Sequence, residues 1–279
     1  MGTAIRGLGV LFSAILILLA FVAPACSGDG ISVDIDEVVA QVAAAQTSLD
    51  TYRMDSHVSV QVLGDPAAGS KTVFTGFLDT NAAVDATHRR MQMDMTMGMG
   101  KDAESGGLKY YGQAFLIDNH LYTGVSMTQS GFQWNKVDLA ADYWESAEIM
   151  EQQLALLQLS GRSLAGEESI DGAACYVFDL TPDVAQTVAA WNLQSFMGQG
   201  ATLPAWKEEW VQGATVRQWI AKDTARLAKS NVQLTLRMPA AELNQSMGEG
   251  DVDITVTGEA YYHSYNGWVS IIVPPEAIQ

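Results

Sequence analysis

The 279-residue chain is strongly acidic, with 15 Lys and Arg against 32 Asp and Glu and a formal net charge of −17. The acidic residues are spread along the chain, so its surface would repel a polyanion, and we exclude nucleic acid as a partner. Anionic phospholipid headgroups would be repelled in the same way, so contact with a membrane would need an anchor other than basic side chains.

The N-terminal segment has the layout of a signal peptide. A single cation, Arg6, precedes residues 8–22, which are apolar apart from Gly9 and Ser13. This run is shorter than the roughly 20 residues that a permanent membrane helix needs, and small residues follow it. We therefore predict that residues 1–25 are a signal peptide that is removed on export, which leaves 14 basic against 32 acidic residues, a charge of −18.

Small residues stand directly before Cys26, in the order Ala23-Pro24-Ala25-Cys26, which resembles the lipobox of bacterial lipoproteins. The alternative is ordinary signal-peptidase cleavage, because Ala23 and Ala25 satisfy its preference for small residues. With a lipobox, Cys26 carries a lipid, residues 26–32 form a flexible tether and residues 33–279 form a single domain. The protein would then be exported and lipid-anchored to the outer face of the cytoplasmic membrane or in the cell envelope.

Cys175 is the second of the two cysteines, and it stands in the apolar run of residues 173–178. If Cys26 is linked to lipid, no intramolecular disulfide can form, so stability must come from the core. A mature chain of about 250 residues is long enough to bury such a core in one β-rich domain. We predict that Cys175 is a buried, unreactive thiol.

The tether is followed by an amphipathic helix. Its apolar positions recur at steps of three and four residues: Ile35, Val38, Val39, Val42, Ala45 and Leu49. Strong helix formers predict a second helix over residues 143–159, and Thr181-Pro182-Asp183 predicts the start of a third that continues to Ala189. The three helices are separated by much longer stretches of strand-like sequence.

From Tyr52 onward the apolar period changes to two, which is typical of strands. The predicted strands cover approximately residues 52–63, 71–78, 86–99, 108–117, 120–125, 132–137, 175–180, 215–220, 228–238, 251–263 and 268–272. The third is predicted to be one of the longest in the sheet. Because the helices interrupt the strands rather than alternate with them, we predict an α+β fold of about ten antiparallel strands and about three helices.

Three stretches of the sequence follow one another in an order that is typical of a known protein family. They are residues 115–122 followed by 134–139, residues 164–178 around Gly166 and Gly172, and residues 216–227 with Trp219-Ile220 before a turn. Together with Tyr265-Asn266-Gly267-Trp268, they resemble the LolA/LolB-like and LppX-like bacterial lipoprotein carriers over most of the chain. The resemblance implies a strongly curved antiparallel sheet, a half-barrel, that wraps around the helices and encloses an apolar cavity.

The most unusual local pattern is a row of methionines at alternate positions: Met91, Met93, Met95, Met97 and Met99. On a strand they share one face, with about 7 Å between neighbours. The resemblance would turn this face toward the cavity, where flexible thioethers suit varied apolar ligands. The alternatives are ordinary core packing and a Cu(I) site, since thioethers select soft metals, but the 7 Å spacing and the lack of His or Cys beside the row argue against metal.

None of the other side chains or motifs in the sequence indicates a catalytic or metal site. The four histidines, His57, His88, His120 and His263, lack the spacing of metal ligands and are predicted to be strand-face or turn residues. The sequence shows no nucleophile elbow, no phosphate-binding glycine loop and no Cys-x-x-Cys pair. We predict a non-enzymatic protein without a metal or cofactor. The neighbouring Trp191, Trp206 and Trp210 are predicted to pack in the sheet rather than to form a carbohydrate platform.

The sequence therefore predicts an anchored extracytoplasmic lipoprotein that binds a lipid or other hydrophobic molecule in an apolar cavity, for envelope lipid or lipoprotein transport. The membrane would be contacted through the N-terminal lipid. One alternative is a structural or sensory interaction domain with a solid core, whose function lies in its acidic surface. The other is a Cu(I)-binding protein that uses the methionines.

Overall fold

The computed structural model describes residues 33–64, 72–100, 107–140, 143–144, 149–181, 208–243 and 250–278. The chain divides into two units, Met1–Asp34 and Ile35–Gln279, and every element below belongs to the second. The described α-helices are α1 (Ile35–Gln46), α2 (Ile149–Leu159) and α3 (Ala240–Leu243), with 3-10 turns at Glu208–Trp210 and Pro275–Ala277. None of these described helices is long and apolar enough to span a membrane.

The strands of the described residues form one open, curved antiparallel sheet. They are β1 (Thr51–Leu63), β2 (Thr72–Asp85), β3 (Arg90–Gly100), β4 (Leu108–Ile117), β5 (His120–Ser126), β6 (Gln133–Asp138), β7 (Gly161–Ile170), β8 (Ala173–Thr181), β9 (Val211–Ala221), β10 (Leu227–Pro239) and β11 (Asp251–His263). Their order across the sheet is β6-β5-β4-β3-β2-β1-β11-β10-β9-β8-β7. The first and last strands therefore pair at the centre, and the predicted α+β class and antiparallel sheet are confirmed.

Alternation along the strands gives the sheet one apolar and one polar face. In β1, Tyr52, Met54 and Val58 are buried, whereas Asp55 and His57 are exposed on the other side. The same alternation continues in β10 and β11, so the three central strands share one apolar layer. Burying this layer is the main source of stability that a sheet of this kind has.

Helices α1 and α2 lie on the apolar face beside β9. The contact is shown by Gln218 of β9, whose Nε2 donates to both the backbone and side-chain oxygens of Gln153 at 3.1 Å. Leu156 and Leu157 of α2 are each 1% exposed. The periodicities of both helices were predicted, and the sheet does wrap around them, as the family resemblance implies.

The predicted border between the second and third strands is wrong. Strand β2 continues through Asp79 and Asn81 to Asp85, so it has 14 residues against 11 in β3. Asp79 and Asn81 resemble turn residues in sequence, but they lie on the polar face and bond to side chains of β1. The true turn follows Asp85, whose carboxylate accepts the backbone N–H of His88.

Two further strand predictions fail. Residues 268–272 form no strand, because the chain after β11 folds back and Asn266 donates its backbone N–H to the Thr51 carbonyl. Strand β7 was not predicted, since its glycines and Glu167-Glu168 have low strand propensity and it forms by pairing with β8. Helix α3 was not predicted either. The predicted helix from Thr181 to Ala189 lies outside the described residues, although Thr181 itself ends β8.

Candidate functional site

All five methionines lie on the apolar face of β3. Their cross-strand partners in β2 include Val84 opposite Met91 and Leu78 opposite Met97. These partners belong to the same alternation as the buried residues of β1, so the methionines point to the side that carries the helices. The predicted sharing of one face is confirmed.

The row is not uniformly buried. Met91 is 3% exposed, whereas Met93, Met95, Met97 and Met99 are half-buried. Met95 lies across the neighbouring strand: its Cε is 3.1 Å from the point that a Cβ on Gly112 would occupy. A side chain at Gly112 would therefore displace Met95, and the glycine lets the thioether lie close to the sheet.

The same face continues across β4 to β6, where several apolar side chains are exposed. Leu108 pairs with Met99 and is 57% exposed, Val125 pairs with Gly112 and is 52% exposed, and Val137 pairs with Leu121. We call the five methionines with Leu108, Leu121, Val125 and Val137 the methionine face. These neighbours were not predicted as site residues, although their alternate apolar positions in the predicted strands were the signal for them.

The apolar face beneath the helices is packed differently. Val42 of α1, Met150 and Leu157 of α2, Ile220 of β9 and Tyr265 line a space of only about 20 Å³. This is room for about one water molecule. We call these five residues the helix-covered region. The space that they line is almost completely filled.

Tyr265 closes one side of the helix-covered region. Its hydroxyl donates a hydrogen bond to the Leu227 carbonyl, and the Arg226 guanidinium lies 5.0 Å from the centre of its ring. Tyr265 is half-buried as a whole, but burial of its hydroxyl raises the pKa well above the ordinary value of 10.0. The neutral phenol therefore acts as a structural hydrogen-bond donor.

The four histidines lie on the polar face of strands or in turns, as predicted. Each contacts an aspartate, in the pairs His57–Asp79, His88–Asp85, His120–Asp138 and His263–Asp55. Within the described residues, no group of three or more His, Cys, Asp and Glu side chains is arranged to hold a metal ion. The histidines thus pair with single carboxylates.

The structure describes one of the two cysteines. Cys175 is fully buried in β8, as its apolar surroundings predicted. Burial raises the pKa of its free thiol above the ordinary value of 9.0. Cys26 lies outside the described residues, as do Trp191 and Trp206. Trp210 is buried in the apolar core with residues of β10 and β11, so it packs in the sheet as predicted.

No family model matches this chain, and no curated protein matches it. Several solved structures do. Lipoprotein LppX from Mycobacterium tuberculosis is 13% identical, with 85% of this chain and 98% of that chain covered and a TM-score of 0.44. LprF from Mycobacterium bovis is 13% identical, with 86% and 96% covered and a TM-score of 0.44.

A putative outer membrane lipoprotein-sorting protein domain from Vibrio parahaemolyticus is 8% identical, with 85% of this chain and 95% of that chain covered and a TM-score of 0.25. These neighbours are of the LppX, LprF and lipoprotein-sorting type, so the predicted resemblance agrees with them at the level of the fold. At such identities the likeness concerns the fold alone.

Proposed function

We propose that this chain is an exported lipoprotein whose methionine face binds a lipid or another hydrophobic molecule. In this proposal residues 1–25 are removed, Cys26 carries the lipid, residues 26–32 form the tether and residues 33–279 bind the ligand. The membrane is contacted through the lipid at Cys26, and the acidic domain remains in the aqueous phase. The protein carries out no chemical reaction on its ligand.

The observation that carries the proposal is the incomplete burial of the methionine face. Core side chains normally pack at high density with few voids, as they do in the helix-covered region. Four of the five methionines are instead half-buried, and Leu108 and Val125 beside them are more than half exposed. An apolar ligand would remove this surface from water, at roughly 25 cal/mol per Å². Unbranched methionines can adapt to ligands of different shape.

The binding step is tested with the fluorescent probe Nile red and the mature chain. Replacing Met95 with Gln puts an amide on the apolar face with little change in volume, and we expect about tenfold weaker probe binding, because burying an unbonded amide costs about 1–3 kcal/mol. The control is Lys109→Gln, which places the same amide on the polar face of β4. Equal losses in both variants, or no saturable binding by the wild type, would reject the proposal.

The anchor is tested separately in bacterial cells that express the full chain. Wild type should fractionate with membranes and show, by intact mass spectrometry, a lipid-modified form that begins at Cys26. The Cys26→Ser variant should lack this mass and be released into the soluble extracellular or periplasmic fraction. A wild-type chain that is cleaved after Ala25 and carries an unmodified thiol would establish plain secretion instead.

One observation favours the second candidate, a structural or sensory domain with a solid core. The space beneath α1 and α2 holds about 20 Å³, too little for any lipid. If the wild type recovered from several expression hosts contains no co-purifying lipid by native mass spectrometry and does not bind Nile red, the solid-core function replaces the first proposal.

A further inference from the structure

A groove crosses the polar face of the sheet, on the side opposite the methionine face. Its floor follows from the strand register. One transverse row consists of Tyr261, Asp55, Asn81, Asp94 and Gln113, which are successive partners on β11, β1, β2, β3 and β4. Because neighbouring strands lie about 4.8 Å apart, the row extends about 19 Å across the sheet.

A second row runs beside the first, two residues along each strand. It consists of Glu259, His57, Asp79, Thr96 and Tyr111, which are again successive partners. The backbone of intervening residues such as Met95 completes the floor, because their side chains point to the other face. Gln129 and Phe132, from the β5–β6 connection, line the same space, whose volume is about 600 Å³.

The four carboxylates of the groove are already held by neighbouring side chains. Asn81 donates to Asp55, the His57 ring nitrogen lies 2.6 Å from Asp79, Gln113 donates to Asp94 at 2.9 Å, and Lys229 donates to Glu259. These contacts fix the carboxylate oxygens in place. Each oxygen has a second lone pair, so the fixed carboxylates can still accept hydrogen bonds from a ligand.

The charges of the lining residues restrict the ligand. Among the described residues, the groove is lined by four carboxylates and by no Lys or Arg, which argues against phosphates, sulfates and acidic polymers as ligands. The amine of Lys229 already occupies the cation position beside Glu259, over the ring of Tyr261 at 4.6 Å. His57 and His263 contact two of the other carboxylates. A neutral ligand rich in hydroxyl donors fits this arrangement best.

Phe132, which lines one side of the groove, belongs to an aromatic cluster. Phe132 packs against Trp134 with 5.8 Å between ring centres, and Trp134 packs against Phe115 at 6.0 Å. Trp134 also lies flat on Gly124, where an added Cβ would come within 2.9 Å of the ring. The cluster therefore holds Phe132 in a fixed position beside the hydrogen-bonding floor. Apolar faces next to a few convergent polar groups are the usual composition of a small-molecule site.

We propose that this groove binds a neutral saccharide. The sugar hydroxyls donate to the fixed oxygens of Asp55, Asp79 and Asp94, and the amide groups of Asn81 and Gln113 supply further donors and acceptors. The C–H face of a sugar ring packs against Phe132. The groove and the methionine face lie on opposite sides of one sheet, so this saccharide is a second ligand, independent of the hydrophobic one.

The first experiment applies the mature wild-type chain to an array of immobilised neutral and acidic oligosaccharides, followed by calorimetric titration with the free form of the strongest binder. We expect a neutral saccharide to bind and acidic ones not to. In Asp94→Asn, which keeps the side-chain shape and removes a charged acceptor, the affinity should fall about tenfold, as for one charge-assisted hydrogen bond. The matched control is Asp171→Asn, an exposed turn residue outside the groove, whose affinity should equal that of the wild type.

The saccharide proposal would be overturned by binding to no neutral saccharide, by equal affinity in Asp94→Asn and wild type, or by binding to acidic saccharides only. A wild type that binds spermidine at the groove but no saccharide would also overturn it and would assign the site to organic cations. Nile red binding is measured on the same preparations. Because the hydrophobic ligand is proposed to bind the methionine face, a wild type that binds Nile red but no neutral saccharide rejects this inference alone.

Discussion

The two halves of the apolar face are built from similar elements but packed differently. In the helix-covered region, α1 and α2 lie directly on β9, and about 20 Å³ of space remains between them. On the methionine face, four methionines are half-buried and Leu108 and Val125 are mostly exposed. One half therefore has the packing of a protein core, and the other leaves exposed the apolar surface that the proposed ligand would cover.

The difference shows which side chains each task needs. Apart from Met150, the helix-covered region consists of branched and aromatic residues such as Leu157 and Ile220. The hydrogen bonds of Tyr265 and of the neighbouring Gln218 add directional contacts. These contacts fix the helices in one arrangement. The methionine face has flexible, unbranched side chains, whose cost in conformational entropy is incurred only when a ligand orders them. In the proposed function, stability and ligand binding thus depend on separate parts of one sheet face.

The largest expected effect on stability comes from truncating one side chain to alanine in each half of the apolar face. Leu157→Ala removes a side chain that is 1% exposed, and we expect a loss of about 2–5 kcal/mol in the free energy of unfolding. Met97→Ala, at a half-buried position, should cost about 1 kcal/mol because less surface is re-exposed. Urea unfolding followed by circular dichroism measures both. Equal losses would mean that the methionine face is ordinary core.

The next effect concerns the hydrogen bonds from the sheet to α2. Gln218→Leu keeps the side-chain volume but removes the two bonds to Gln153, and we expect a loss of about 1–3 kcal/mol because the bonds are buried. The control is Gln233→Leu, the same change at an exposed position of β10, which should stay within about 0.5 kcal/mol of wild type. If Gln218→Leu leaves the free energy of unfolding unchanged, α2 is held by apolar contacts alone.

The sequence alone predicts on which face of a strand each side chain lies, but not which other elements pack against that face. Alternation placed Met91 to Met99 on one side of β3 because side-chain direction in a strand depends on local geometry alone. It could not separate the half-buried Met97 from the buried Met91, since burial depends on elements that are distant in the sequence. The second strand was predicted to end at Leu78 for the same reason: the partners of Asp79 and Asn81, which are His57 and Asp55, lie in another strand.

The polar groove was beyond prediction from the sequence because it requires the register of five strands. Asp55 and Asp94 are 39 positions apart in the chain, and they become members of one row only when β1, β2 and β3 pair as observed. Their alternate positions in predicted strands indicated a polar face, but not that two rows of such residues would border a common space. The edge strand β7 was likewise determined by its partner β8 rather than by its own composition.

A smaller effect depends on pH and belongs to the helix-covered region. The pKa of the Tyr265 hydroxyl is raised by burial, so the folded chain keeps this proton above pH 10.0, where the unfolded chain releases it. The stability that Tyr265 contributes is therefore complete below pH 10.0 and declines as the pH rises above it. The free energy of unfolding of wild type minus that of Tyr265→Phe should be about 1 kcal/mol at neutral pH and should decrease at alkaline pH. If this difference in the free energy of unfolding stays constant as the pH rises, the Tyr265 hydroxyl does not stabilise the fold in this way.

The smallest effect is expected where the methionines are replaced by residues of similar volume. A variant with Met93→Leu, Met95→Leu and Met97→Leu keeps an apolar face, so its free energy of unfolding should change by less than about 1.5 kcal/mol and its Nile red affinity should remain close to wild type. Cu(I) titration of both proteins should give equal affinities, because a hydrophobic binding face does not need sulfur. If Cu(I) affinity instead falls with the three thioethers while Nile red affinity is unchanged, the methionine face is a soft-metal site, and its exposure serves ion access rather than lipid binding.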